Sequence, residues 1–356
     1  MSKEITDVFL TWLKYAFSLT LALSVWISFA SDSWWSWLPV LYGFVAVPVA
    51  EAIAGASATN INAEEERKLL RSRGFDFMLY LVSAVHLATV VYFVAVICRE
   101  CTWDWIFAGQ IAGMGMMCGV YGINVAHELG HRSDLFHRAM AQLMLSTSLY
   151  MHFYIEHNEG HHRNVSTPED PASARRGENL YAFFYRSVTG SWVSAWDIEK
   201  KRLGRKKLRV LSLHNRMLRF VLFQVAVLSG ILVAAGPVSL IAFVMAAVIG
   251  FLLLETINYI EHYGLQRNKV SEYRYEDANP SHSWNSDHRI GRLLLFELAR
   301  HSDHHYDPSR KYQVLRSFDN SPQLPSGYPT MVLLALLPPL WFAVMNPLVD
   351  KVQKSV

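Results

Sequence analysis

The chain has 356 residues, 52% of them apolar and 18% charged, and its mean hydropathy is positive. That excludes an ordinary soluble domain and leaves room for several membrane spans, while a formal net charge of +3 provides no basic excess for a nucleic-acid partner. Three cysteines, Cys98, Cys101 and Cys118, exclude a disulfide framework and a tetrathiolate metal site.

A bilayer-spanning helix needs about 20 mostly apolar residues. Six segments qualify: 8–30, 34–57, 76–98, 104–126, 217–235 and 238–258. The first is too long for a signal-peptide core and lacks a small-x-small cleavage site, so it reads as a retained helix. A further apolar run, 328–346, is interrupted by Pro338 and Pro339 and reads as membrane-associated rather than crossing. Trp12, Trp34, Trp35, Trp37, Trp103 and Trp105 sit at the ends of apolar runs, as in an interfacial aromatic belt. Basic residues fall after the second span (Arg67, Lys68, Arg71, Arg73) and in the long segment after the fourth (Lys200, Lys201, Arg202, Arg205, Lys206, Lys207, Arg209). The positive-inside rule then places both termini and both long loops in the cytoplasm. The expected fold is an all-α integral membrane protein: six transmembrane helices and a cytoplasmic, histidine-rich catalytic cap. With no internal repeat, residues 1–356 read as one domain, with cytoplasmic catalytic segments at 127–216 and 259–327.

Histidine is the unusual residue, with fifteen copies. Nine lie in four clusters on the expected cytoplasmic face: "HELGH" (His127, His131), "EHNEGHH" (His157, His161, His162), "NYIEHYG" (His262) and "RHSDHH" (His301, His304, His305). Residues three or four apart share a helix face, so His127 with His131, His157 with His161, and His301 with His304 and His305 are spaced to hold a metal together. Adjacent histidines point about 100° apart and suit two metals. Nine imidazoles are too many for one ion, since a catalytic zinc takes three protein ligands. A mostly imidazole set suits iron, copper, nickel or zinc. Glu128, Glu156, Glu261 and Asp303 stand beside the histidines and are expected to orient them by accepting their outer N–H groups. Asn258, four residues before His262, is expected to reach a metal directly or through water. His86, His137, His152 and His214 read as packing residues, and His282 and His288 are left outside the ligand set. "HELGH" alone also fits a membrane zinc metalloprotease with Glu128 as base, a reading that leaves the other clusters without a purpose. A carboxylate-type di-iron centre using Glu128–His131 and Glu159–His162 leaves "RHSDHH" unexplained.

From about residue 40 to 347 the chain resembles the integral-membrane alkane 1-monooxygenases, within the histidine-rich membrane di-iron hydroxylases and desaturases. The resemblance rests on "HELGHR", "HFYIEHNEGHHRNVSTPEDPASARRGE", "NYIEHYGL", "HSWNSDH" and "RHSDHHYDPSRKYQVLR". It implies two non-haem iron ions held by the nine histidines, O2 as co-substrate, no haem or flavin, and conversion of alkanes to primary alcohols. It also implies a bacterial inner-membrane setting with the site facing the cytoplasm. Electrons would come from a rubredoxin recharged by a NAD(P)H-dependent reductase. A fused rubredoxin needs two Cys-x-x-Cys pairs and only Cys98 and Cys101 form one, so a separate donor is expected. A hydroxylase of an alkylarene or fatty acyl chain is the near alternative.

An alkane offers no polar handle, so its binding must come from burying apolar surface and its entry from lipid. Gly43, Ala46, Ala50 and Ala54 form a stripe of small residues on the second span. They read as helix packing or, more sharply, as the alkane channel. The basic run Lys200 to Arg209 reads equally as a topological signal or a docking surface for an acidic electron carrier.

Overall fold

The computed structural model describes residues 10–99, 101–272 and 274–355. Among these, five helices are long and apolar enough to cross a membrane. They are α1 (Leu10–Phe29), α2 (Trp34–Ala54), α3 (Gly74–Arg99), α4 (Trp105–Gly130) and, beyond α5 (Leu135–Ser146) and α6 (Leu180–Arg205), the 47-residue α7 (Arg216–His262). Residues 8 and 9 of the first expected span lie outside the described residues. Shorter helices follow, among them α8 (His301–Tyr306), α9 (Tyr328–Ala335) and α10 (Pro338–Ser355). A small antiparallel hairpin, Lys269–Ser271 with Arg274–Tyr275, is the one regular departure from helix among the described residues.

The expected fifth and sixth spans are the two halves of α7. A straight helix of that length would run about 70 Å, more than twice the roughly 30 Å hydrocarbon core. Gly236 breaks it with φ 88° and ψ 177°, a conformation open to glycine, and Pro237 begins the second half without an N–H to miss. The halves fold back on each other. Gln224 before the break donates to the Leu149 carbonyl (3.3 Å), and Glu255 after it accepts from Tyr150 (2.7 Å).

α4 is the central helix: 78% of its most apolar window is buried, against 33% or less in the others. Close approach by the second half of α7 explains its glycines. A Cβ on Gly115 would stand 2.5 Å from the Ile249 Cβ, and one on Gly119 3.1 Å from the Gly250 carbonyl.

Polar contacts separate the two ends of the bundle. At one end Trp37 donates to the Trp105 carbonyl (2.9 Å) and Arg99 to the Ala234 carbonyl. At the other, Asp76 at the start of α3 meets Arg132 (3.5 Å) and Lys311 (3.4 Å). Arg300 there donates to the Ser57 and Thr59 carbonyls and pairs with Asp287. The ends of α2, α4 and α7, the start of α3 and the segment around α8 therefore meet at one end. The apolar run at 328–346 divides into α9 and α10 just before Pro338, and Trp341 of α10 packs on Tyr259 of α7 (ring centroids 5.1 Å).

Candidate metal centre

At that end all nine clustered histidines converge in two groups, His127, His131, His157, His162 and His304 in one and His161, His262, His301 and His305 in the other. Within each group the ligand atoms lie within 4.8 Å of one another. The pair His127 and His131 meets as helical spacing predicts. His301 and His305 share a group one turn apart on α8, while His304 turns to the other.

The middle cluster departs from expectation: His157 and His161 separate. The chain runs as a π-helical turn from His157 to His161, and a wider turn brings i and i+5 together. His157 and His162 thus face each other, Nε2 to Nε2 at 3.0 Å, while His161 Nε2 reaches His305 Nε2 at 3.2 Å. π-turns inside helices recur at functional sites, and a second one, Cys118–Ile123, immediately precedes the helical turn carrying His127.

The donor set fits metal ions. Nε2 atoms face one another at 3.1 Å (His304–His162), 2.8 Å (His305–His301) and 3.3 Å (His301–His262). Metal–nitrogen bonds of about 2.1 Å produce nitrogen–nitrogen edges of roughly 3.0–3.4 Å. Both ring nitrogens of His127 and Nε2 of His131 are buried without a partner, a cost that a metal removes. Burial, reinforced by neighbouring histidines, holds His157, His162, His301, His304 and His305 well below the ordinary imidazole range. Burial and Arg132 push His131 down to about 4. These imidazoles are therefore neutral, the form that ligates.

The carboxylates divide differently from expectation. Glu128 does not reach a histidine: one residue beyond His127 it is rotated off the histidine face, and it accepts from Arg132 at 2.6 Å. Asp303 turns away likewise, onto Arg310 (2.5 Å) and the Arg316 N–H (2.7 Å). Glu156 lies beneath Gly160 and accepts from Ser194 (3.4 Å); it touches His161 only through its field, and burial pushes it up to about 8. Glu159 is exposed and pairs with Arg216 at 2.6 Å. Neither Glu128 nor Glu159 is placed for carboxylate ligation or for a protease's base. The acid that does orient a histidine is Asp170, which sequence reasoning passed over. It accepts from His161 Nδ1 at 2.9 Å and from Ser173 at 2.6 Å. Burial alone would lower His161, but Asp170 carries it above its ordinary value, and the same pair holds Asp170 low. Its one signal was an acid in the quoted "STPEDP". Glu261 lies against His301 Nε2 at 3.1 Å, and Asn258 lines the cavity described below.

Residues 103–335 match the fatty acid desaturase family. The chain is 39% identical over 340 residues to an alkane 1-monooxygenase of Pseudomonas aeruginosa, covering 94% of this chain and 90% of that one. It is 38% identical to an alkane 1-monooxygenase of Ectopseudomonas oleovorans, across 91% of this chain and 81% of its relative. The hydroxylase component of a xylene/toluene monooxygenase from Pseudomonas putida is 32% identical over 67% of this chain and 63% of its own length. The chain belongs to the alkane monooxygenases of the fatty acid desaturase family.

For an integral membrane protein of that family the two histidine groups fit a non-haem iron site. A cavity of about 130 Å³ leads up to them. Its walls include Leu21, Phe44, Val47, Met116, Leu253 and Val332, and its polar end is made by His127, His157, His301, Asn258 and Glu261. Of the expected channel stripe only Gly43 borders it. Ala46 is exposed, and Ala50 and Ala54 are half-buried away from the wall. A π-turn at Tyr42–Ala46 rotates the helix there, so Gly43 and Val47 share the cavity face and the straight stripe is lost. In the basic run Lys200, Lys201, Arg205, Lys206, Lys207 and Arg209 are exposed, whereas Arg202 is engaged by Glu199 (2.9 Å) and the His214 carbonyl (2.6 Å). His282 and His288 contact Glu276 and Ser286 and join neither group.

Proposed function

We propose that this protein is an alkane 1-monooxygenase that converts an alkane, O2, two electrons and two protons to a primary alcohol and water at a di-iron site held by the nine histidines. The observation that carries the reading is the apolar cavity ending on both histidine groups at once, through His127 and His157 of one and His301 of the other. An apolar chain gains about 0.8 kcal/mol per buried CH2, and that wall has little else to offer a substrate. One terminal methyl group of the alkane is then presented at the polar end of the cavity, where the walls exclude water. The five-histidine and four-histidine groups would each hold one iron, which when bound supplies the oxygen activation and C–H oxidation. Asp170 fixes the ring of His161, and Arg132 with Asp76 braces the helix end that carries His127 and His131.

The chain crosses the membrane six times in this reading, with both halves of α7 spanning. The histidine-bearing end and both termini lie on the cytoplasmic side of a bacterial inner membrane, as the placement of basic residues supports. A separate rubredoxin, recharged by a NAD(P)H-dependent reductase, delivers electrons. Of the nine histidines only His131 and His162 are not fully buried, so the carrier approaches the five-histidine group, away from the cavity. The exposed basic residues between Lys200 and Arg209 supply charge for an acidic carrier; charge reversal at Lys206 and Lys207 raises its apparent KM, and an unchanged KM would remove them from the docking surface.

The test is oxygen- and reductant-dependent formation of 1-alcohols from a graded alkane series by the purified protein in lipid. The 32% identical relative, a xylene/toluene monooxygenase component by name, motivates one second reading, hydroxylation of an alkylarene methyl group. Oxidation of xylene with no turnover of any alkane would select it.

A further inference from the structure

We propose that Glu261 is itself a metal ligand, placing a carboxylate oxygen on the metal of the four-histidine group from the cavity side; this rests on the di-iron reading above. Glu261 precedes His262 near the end of α7. One residue turns a helix by about 100°, and Glu128, similarly adjacent to His127, points away from the site. Glu261 points in. Its Oε2 lies 3.1 Å from His301 Nε2, and that nitrogen is the one directed into the group, 2.8 Å from His305 Nε2 and 3.3 Å from His262 Nε2. The opposite nitrogen, His301 Nδ1, is buried with no partner.

A carboxylate that only orients a ligand accepts from the ring nitrogen remote from the metal. Asp170 does this at His161 Nδ1, while His161 Nε2 faces the group. Glu261 instead approaches the metal-facing nitrogen of His301. Its oxygens lie outside the set of atoms within 4.8 Å of one another that the four histidines form, so ligation requires the carboxylate to close on the ion as it binds. The remaining oxygen accepts from Tyr328 at 2.6 Å, which holds the side chain, and the backbone carbonyl accepts from the Trp284 N–H at 2.8 Å, which holds the main chain. Glu261 is 2% exposed, and no lysine or arginine forms an ion pair with it among the described residues. A buried carboxylate needs a compensating charge, and a metal cation at this point supplies it. The ligand count also evens out, with five nitrogens in one group and four nitrogens plus one oxygen in the other. An anionic oxygen donor makes the two irons chemically distinct and stabilises the oxidised state of its own iron. The all-imidazole iron, whose His131 and His162 are partly exposed, is then the easier one to reduce.

The experiment compares wild type, Glu261→Gln, Tyr328→Phe and His262→Ala, each purified whole in lipid and loaded with isotopically enriched iron. Iron per chain after a chelator challenge and the Mössbauer spectrum of the reduced protein are recorded. Wild type is expected to hold two irons with two distinguishable doublets. Glu261→Gln should shift or lose only the doublet that His262→Ala removes, with at least tenfold weaker retention of that iron. Tyr328→Phe, which leaves the carboxylate in place, should keep both irons and move that same doublet alone. Two retained irons with both doublets unmoved in Glu261→Gln overturns the proposal, as does an unmoved spectrum in Tyr328→Phe if Glu261→Gln does not fold. Wild-type protein that binds no iron overturns the di-iron reading itself, and the two failures are told apart by that one sample.

Discussion

Replacing Asp170 with asparagine removes one charge and almost no volume, and the structure indicates which metal site should notice. The His161 and Asp170 side chains are 1% and 0% exposed and lie 2.9 Å apart, so no solvent screens the pair. Losing an outer carboxylate partner of a ligand histidine typically costs 10–100-fold in metal affinity, or about 1.4–2.7 kcal/mol. Asparagine can still accept from the Ala172 N–H, which now donates to Oδ1 at 3.1 Å, so the side chain stays in place and only the anionic acceptor is lost. With the side chain kept in place the effect belongs near the middle of that range, about 2 kcal/mol. His161 sits in the four-histidine group. Asp170→Asn should therefore release one iron about 30-fold more readily and leave the other unchanged, read as a biphasic chelator titration of the purified protein. In the metal-free protein His161 should then titrate at lower pH by NMR, because the group that raises it is gone. Equal weakening of both irons would refute the division into two groups, and no weakening would reduce Asp170 to a packing residue.

Three further outcomes follow from the same geometry. His157→Ala and His161→Ala should each cost one iron, but different ones, seen as loss of different Mössbauer doublets; loss of the same doublet would contradict the π-turn. Val47→Phe should shorten the longest alkane accepted, with kcat/KM falling roughly fourfold per methylene excluded, at about 0.8 kcal/mol each. Ala46→Phe, on the exposed side of α2, should leave the product profile unchanged. Glu199 is held down to about 2, burial notwithstanding, by Arg202 and Arg216, which tie the end of α6 to the start of α7. Its folded value lies below its unfolded one, so its stabilisation is present above pH 4.5 and is lost as pH falls toward 2. Glu199→Gln should accordingly lower Tm at pH 7 and make little difference near pH 2.

What could be read from sequence depended on how local the cause was. Apolar runs of bilayer length located α1 to α4 and both halves of α7, because the solvent requirement acts on each run separately. His127 and His131 were paired correctly since four residues of ordinary α-helix separate them. His157 and His161 carry the same spacing and were paired wrongly, because the π-turn that divides them is set by packing. The rotation that misleads there also dissolves the stripe Gly43, Ala46, Ala50, Ala54, where the π-turn at Tyr42–Ala46 replaces Ala46 with Val47 on the cavity wall. Asp170 was invisible for another reason: a loop lies between it and His161, and loops carry no periodicity from which to infer contact.

The proposed function requires one buried cluster to serve an oily substrate and an aqueous donor. The cavity borders the cluster at His127, His157 and His301, all buried, whereas its partly exposed members are His131 and His162, with the His131 Nε2 and His162 Nδ1 atoms themselves buried. No histidine belongs to both sets. His127 and His131 are one helical turn apart with ring centroids at 5.0 Å, so the layer between the cavity and the partly exposed side of the cluster includes these imidazoles. A residue that widened that layer would separate the electron entry from the reacting C–H bond, and one that thinned it would admit water to the cavity. Enlarging the gap by His131→Ala should thus do more than remove a ligand. In protein reloaded with excess iron, reductant consumption should outrun alcohol formation, with the surplus appearing as hydrogen peroxide or water. Proportional loss of both rates would show that His131 is a ligand and no part of the barrier.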